Sequence, residues 1–140
     1  MIVTRPISQL VAGDYLVTRY QPRGGIPAGV RHVPEVAPSE ALLRWAQAAR
    51  DTAPYPCCRD AVWDGYRAAY RQEMRDAYRA DPRPFEAVAR DASRCNIVLV
   101  CYCPTDATDP AATRCHRVLL AEILAAIGRR LGLEIGVRHE

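Results

Sequence analysis

A chain of 140 residues is about the size of one compact domain and buries roughly two thirds of the surface its unfolded form exposes, so folding requires neither disulfides nor a structural metal. Nineteen basic against 16 acidic residues leave a formal charge of +3, a mild excess spread among many acidic side chains that argues against a dedicated nucleic-acid binder. No run approaches the roughly 20 apolar residues that span a bilayer, which excludes a membrane-crossing helix.

The chain has no lysine, so every strong cation is arginine, whose planar fork suits carboxylates and phosphates. The amino terminus M-I-V-T-R-P-I-S-Q-L lacks the basic segment and apolar stretch of a secretory signal. A cytoplasmic location with reduced cysteines is therefore expected.

Residues 14 to 20, D-Y-L-V-T-R-Y, are rich in β-branched and aromatic side chains and predict a strand. The prolines and glycines of residues 21 to 29 predict a loop. Ser39 then caps a helix or sits in its first turn, with Leu42, Leu43, Trp45, Ala46 and Ala49 as its apolar stripe. Pro54 and Pro56, beside Cys57 and Cys58, end that helix.

A second helix is predicted over residues 60 to 78, capped by Asp60, with Trp63, Tyr66, Tyr70 and Met74 at helical spacing. Arg67, Arg71 and Arg75 form a neighbouring stripe that is expected to face water or an acidic partner. After a break at residues 81 to 84 a third helix packs Phe85, Val88 and Ala89 inward. Residues 96 to 102, N-I-V-L-V-C-Y, have the continuous apolar character of a strand covered on both faces.

A loop over residues 103 to 114 leads to a helix from Cys115, with Val118, Leu119, Ile123, Leu124, Ile127 and Leu131 buried and Gly132 as its stop. Residues 133 to 137 then supply a last short strand. Strand, helix and strand in that order make a β-α-β unit with parallel strands. The expected architecture is α/β: a single small three-layer domain, residues 1–140, with a mostly parallel sheet flanked by helices.

In such folds ligands bind beyond the carboxyl ends of the strands, where the following helices begin. The segment C-Y-C-P-T-D-A-T-D-P-A-A-T-R-C-H-R, residues 101 to 117, falls at that place. Free amides of the first turn and the Arg117 fork would meet an anion there. Cys115 in that field is a candidate nucleophile and His116 a candidate acid or base. Arg19, Arg23 and Gly24 form a second anion-binding candidate, since glycine lets backbone amides approach a ligand.

Cys95, Cys57 and Cys58 read as packing, and Cys101 as the buried end of a strand. The alternative is zinc held by Cys101, Cys103, Cys115 and His116. The adjacency of Cys115 and His116 opposes it, because neighbouring helical side chains diverge by about 100 degrees. The expectation is accordingly that no cofactor is present.

The motifs R-Y-Q-P-R-G-G, A-P-S-E-A-L-L-R-W, W-D-G-Y-R-A-A-Y-R-Q-E-M and V-L-V-C-Y-C followed by C-H-R-V-L-L-A resemble, in the same order, the domain-of-unknown-function 488 family and its YeaO-like branch. The resemblance implies a compact α/β domain whose P-R-G and C-H-R regions form the pocket. Matching positions are Arg19, Pro22, Arg23 and Gly24, then Pro38 and Ser39. Trp63, Tyr70 and Glu73 follow, and finally Cys115, His116 and Arg117. Ser39, Tyr70 and Glu73 are supporting candidates. Gln21, the extra thiols Cys101 and Cys103, and the long 103 to 114 loop depart from the branch.

The functional reading is an anion-binding crevice for a phosphate or carboxylate, with thiol or histidine chemistry if it is an enzyme. The partner is then a small anionic molecule or a nucleotide. A non-catalytic nucleotide or nucleic-acid binding module and a structural zinc protein are the alternatives. A deep pocket favours a small ligand. A shallow arginine strip with exposed Tyr66, Tyr70 or Tyr78 favours nucleic acid, whose bases stack on rings.

Overall fold

The apolar run before the cysteine-rich segment forms the central strand of the protein. In the computed structural model, which describes all residues except Gln9, Pro54, Tyr55 and Pro104 and the side chains of Pro56 and Cys57, the strands are β1 (Ile2–Pro6), β2 (Asp14–Leu16), β3 (Arg31–His32), β4 (Ile97–Cys101) and β5 (Val137–His139). They lie in the order β3-β2-β4-β1-β5, and each neighbouring pair is parallel. Four helices flank this sheet: α1 (Glu40–Thr52), α2 (Pro56–Ala80), α3 (Arg83–Arg94) and α4 (His116–Arg130).

The core sits on one sheet face, where Ile2, Tyr15, Val17, Ile97, Leu99 and Cys101 alternate along their strands and meet the apolar stripes of the helices. Phe85, Val88 and Ala89 of α3 are buried as their spacing predicts, and so are Leu119, Leu124 and Ile127 of α4. The α4 helix ends on Gly132 at φ +73°. Leu133 N donates to Gly128 O at 2.8 Å and Gly132 N to Arg129 O at 3.2 Å, the paired bonds of a left-handed helix stop.

Several elements differ from the sequence reading. β2 stops at Leu16; Val17 N still bonds to Val100 O, but the Thr18 hydroxyl donates to Tyr20 O at 2.7 Å and turns the chain off the sheet. α2 begins at Pro56, so Asp60 lies inside the helix and pairs with Arg114 instead of capping. A proline in a first turn lacks only an N–H that has no helical partner there. Cys95 is exposed rather than packed, because it follows α3 at an open corner, and its thiol donates to Asp91 O. The expectations for Pro54 and for the Cys57 side chain lie outside the described residues.

Ser39 is the cap of α1, its Oγ accepting from Leu42 N at 3.1 Å. Glu73 on α2 takes both the Ser39 amide, at 2.9 Å, and its hydroxyl. The fully buried Tyr70 donates its hydroxyl to Val36 O at 2.7 Å. These three residues tie the start of α1 to α2. The two carbonyls between their anchor points, Ala37 O and Pro38 O, receive the Arg19 fork at 3.1 Å each.

Gly29 has φ +82°, and a Cβ there would sit 2.8 Å from Ala12 Cβ and 3.2 Å from Ala12 Cα. Gly29→Ala therefore meets a left-handed backbone cost of about 1–2 kcal/mol together with a clash against the chain before β2. Urea denaturation should show a loss of at least that size. Gly24→Ala, with no atom within 4 Å of the new Cβ and no positive φ, should leave the midpoint unchanged.

Candidate functional site

β2 leads outward to β3, whereas β4 leads through α4 to β5 on the other side of the sheet. The neighbouring carboxyl ends of β2 and β4 thus form the switch point at which open α/β sheets bind ligands. A cavity of about 590 Å³ opens there. Its base is Thr18, Cys101, Cys103, Cys115 and His116, and its far wall is Leu43 and Ala46 of α1 with Val62, Trp63 and Tyr66 of α2. Arg19, Arg50, Arg59 and Arg114 also line it, and no carboxylate among the described residues does.

Three thiols converge at the base. Cys101 ends β4, Cys103 lies two residues on, and Cys115 is the residue before α4 in extended conformation, at φ −147° and ψ 146°. The loop between them folds back, with Cys115 N donating to Thr113 O and Asp106 N to Thr113 Oγ1. The three Sγ atoms lie within 4.8 Å of one another, and Cys101 and Cys115 approach to 2.9 Å.

These contacts divide the protons unequally. Hydrogen bonds from Cys103 and Cys115 pull the Cys101 thiol well below its ordinary range, and the charge of Arg117 acts in the same direction. Cys103 is pushed up by its bond to Cys101, and Cys115 is pushed up by burial.

Arg117 is wholly buried. Its Nη1 donates to Cys101 Sγ at 3.1 Å and to Cys103 O at 2.6 Å, and its Nη2 to Thr105 Oγ1 at 2.8 Å. Its Nε has no partner, and no carboxylate among the described residues pairs with it. Buried charges are normally matched by an opposite one, and among the described residues the ionisable group that this guanidinium touches is the Cys101 thiol. His116, also buried, donates Nε2–H to Val17 O at 2.6 Å, which leaves Nδ1 unprotonated to accept from Cys115 Sγ at 3.6 Å. Burial pushes its pKa down, and its ring meets Tyr70 edge-on at 5.8 Å.

The expectation of a site without a cofactor is overturned by the sulfur cluster. Cys101, Cys103 and Cys115 are grouped as metal ligands usually are. The sequence argument against zinc turned on fitting Cys115 and His116 to one ion. That demand falls away because the third sulfur comes from the extended residue before α4 and His116 stands outside the three-sulfur set.

The remaining predicted residues are distributed as follows. Arg19 lines the cavity, whereas Arg23 and Gly24 are exposed and outside its lining. Arg117, expected to face an anion in the crevice, is turned beneath it onto the thiols. Tyr66 and Tyr70 are buried, so the exposed aromatic strip expected of a strand binder is missing at those two positions. Sequence reasoning passed over Arg50, Arg59 and Arg114 as pocket residues. Arg50 stands near the end of α1 and Arg59 in the first turn of α2, and no sequence pattern marked them as neighbours of the cysteine segment.

No described helix is long and apolar enough to cross a membrane. Residues 12–128 match the model of a family, DUF488-N3a, described as the active DUF488-N3 subclade. No curated protein and no solved structure matches the chain.

Proposed function

The chain belongs to the DUF488 family, in its active DUF488-N3 subclade, and we propose that in this member Cys101, Cys103 and Cys115 hold a zinc ion at the base of an anion-accepting pocket. The observation that carries the reading is the approach of three sulfurs to within 4.8 Å. Zinc–sulfur bonds of about 2.3 Å in tetrahedral array set sulfurs about 3.8 Å apart. The cluster reaches that spacing by opening the 2.9 Å Cys101 to Cys115 contact and drawing in Cys103.

Charge supports the same assignment. Three thiolates around a dication carry one net negative charge, and the buried Arg117 supplies the matching positive one. Its N–H donated to Cys101 Sγ is the kind of outer contact that orients a metal ligand and tunes its basicity. In this reading Cys115 serves as ligand rather than nucleophile, and His116 fixes the turn that presents it.

Three protein ligands leave a fourth position, and all three cysteines border the cavity. A zinc held by these three cysteines would face the cavity and would supply Lewis-acid chemistry to a ligand oxygen there. Arginines around the opening favour a negatively charged visitor.

Protein purified without chelator should carry one zinc per chain by native mass spectrometry. Replacement by cobalt(II) should give intense thiolate-to-cobalt absorption. Protein that is metal-free with all three thiols reduced, and that takes up neither ion, would remove the proposal.

A further inference from the structure

We infer that the ligand of this pocket is a phosphorylated planar ring, the chemistry of a nucleoside monophosphate, with its phosphate on the arginines and its ring against Trp63 and Tyr66. The inference rests on reading the cavity as an anion-accepting site and adds the identity of the second half of the ligand.

The charged half follows from number and origin. Arg19 comes from the turn after β2, Arg50 from α1, Arg59 from α2 and Arg114 from the turn before α4, so four segments place arginines around one opening. One carboxylate, Asp60, answers them by pairing with Arg114, which among the described residues leaves Arg19, Arg50 and Arg59 without a carboxylate partner. Arg59 has no partner among the described residues, while Arg19 is held in place by its bonds to Pro38 O and Ala37 O. Such a surplus exceeds the need of a single carboxylate and suits a phosphate dianion, whose oxygens accept paired guanidinium bonds.

The uncharged half follows from the wall. Trp63 stacks on Tyr66, with centroids 5.6 Å apart and planes within 21°, and Tyr66 stacks in turn on the buried Tyr70, so Trp63 ends the row of rings; Leu43, Ala46 and Val62 continue the apolar surface. Flat apolar walls of this type hold rings by stacking and burial. A volume of about 590 Å³ lies within the range of pockets that enclose whole small molecules and far exceeds what inorganic phosphate fills.

A long strand fits less well than a single nucleotide. Tyr66 and Tyr70 are buried, and Tyr78 lines a separate groove between α2 and α4. Among the described residues that line the cavity, Tyr20 and Tyr102, 57% and 52% exposed, are the most open rings.

Calorimetric titration tests this on the protein as purified, with adenosine and uridine 5′-monophosphates, their nucleosides, inorganic phosphate and a short single-stranded oligonucleotide as probes. One monophosphate per chain should bind about ten-fold or more tighter than nucleoside or phosphate alone, since each half adds its own contacts. Arg59→Gln should weaken the monophosphates about five-fold or more, with melting temperature and zinc content unchanged. Trp63→Leu should weaken the monophosphates but not phosphate.

Phosphate binding as tightly as the monophosphates, oligonucleotide binding without monophosphate binding, or an Arg59→Gln protein of undiminished affinity would each overturn the inference. Metal content measured on the same samples separates the two proposals. Monophosphate binding by zinc-free protein retires the metal and keeps the ligand; a zinc-loaded protein that binds no monophosphate does the reverse.

Discussion

Arg117→Met should lower the stability of the folded protein by about 3–5 kcal/mol, the usual cost of leaving half of a buried charged pair behind. The guanidinium is wholly buried and ties α4 to three groups of the segment at and after the end of β4: Cys101 Sγ at 3.1 Å, Cys103 O at 2.6 Å and Thr105 Oγ1 at 2.8 Å. Methionine fills much of the volume but supplies none of these donors. Arg117→Lys should recover only part of the loss, because one ammonium cannot span the positions reached by Nη1 and Nη2. The measurement is the urea midpoint with its slope, taken for both variants and for Arg117→Met combined with Cys101→Ala. The double variant should lose less than the sum of the singles, since the charge and its partner leave together. An Arg117→Met protein within about 1 kcal/mol of the parent, the worth of an ordinary hydrogen bond, would mean that the guanidinium answers no buried negative charge.

Replacing any one of Cys101, Cys103 and Cys115 by serine should reduce zinc affinity more than about 100-fold, beyond the usual effect of losing an outer-contact residue. Competition against a chromophoric chelator measures it. Cys95→Ser and Cys58→Ser provide the contrast, because the first residue is exposed and neither belongs to the three-sulfur group. Equal retention of zinc by all five variants would place the metal elsewhere. Chelation of the parent protein should also lower its thermal midpoint, since a bound ion stabilises the folded state in proportion to its affinity.

The parts of the fold readable in the sequence were those with a long local pattern. The apolar run of β4 and the stripe of α4 both declare themselves within a dozen residues, and Ser39 and Gly132 mark helix boundaries by their own chemistry. β1 and β3 were not read. Arg31–His32 pairs with Tyr15 and Leu16 although its two residues carry no strand pattern of their own. Ile2–Pro6 is ordered by pairing with β4 and β5 on its two sides, which is a tertiary event.

The site divides in the same way. Its location at residues 101 to 117 was legible because strand end, loop and helix start follow one another. The inward turn of Arg117 was not, since an arginine at a helix start ordinarily faces water and does otherwise here only because thiols lie beneath it. The gathering of Arg50, Arg59 and Arg114 depends on how α1 and α2 settle over the sheet, and no spacing along the chain encodes that.

The base of the pocket and its rim come from different parts of the architecture. The thiols, His116 and Arg117 are fixed to β4 and to the start of α4, while Arg50 and Arg59 stand on α1 and α2 on either side of a short connection. In the proposed reading, substitutions near that connection change what is admitted without disturbing the thiols underneath, so divergence among relatives in selectivity should concentrate at positions 50 and 59 and leave the sulfur chamber alone.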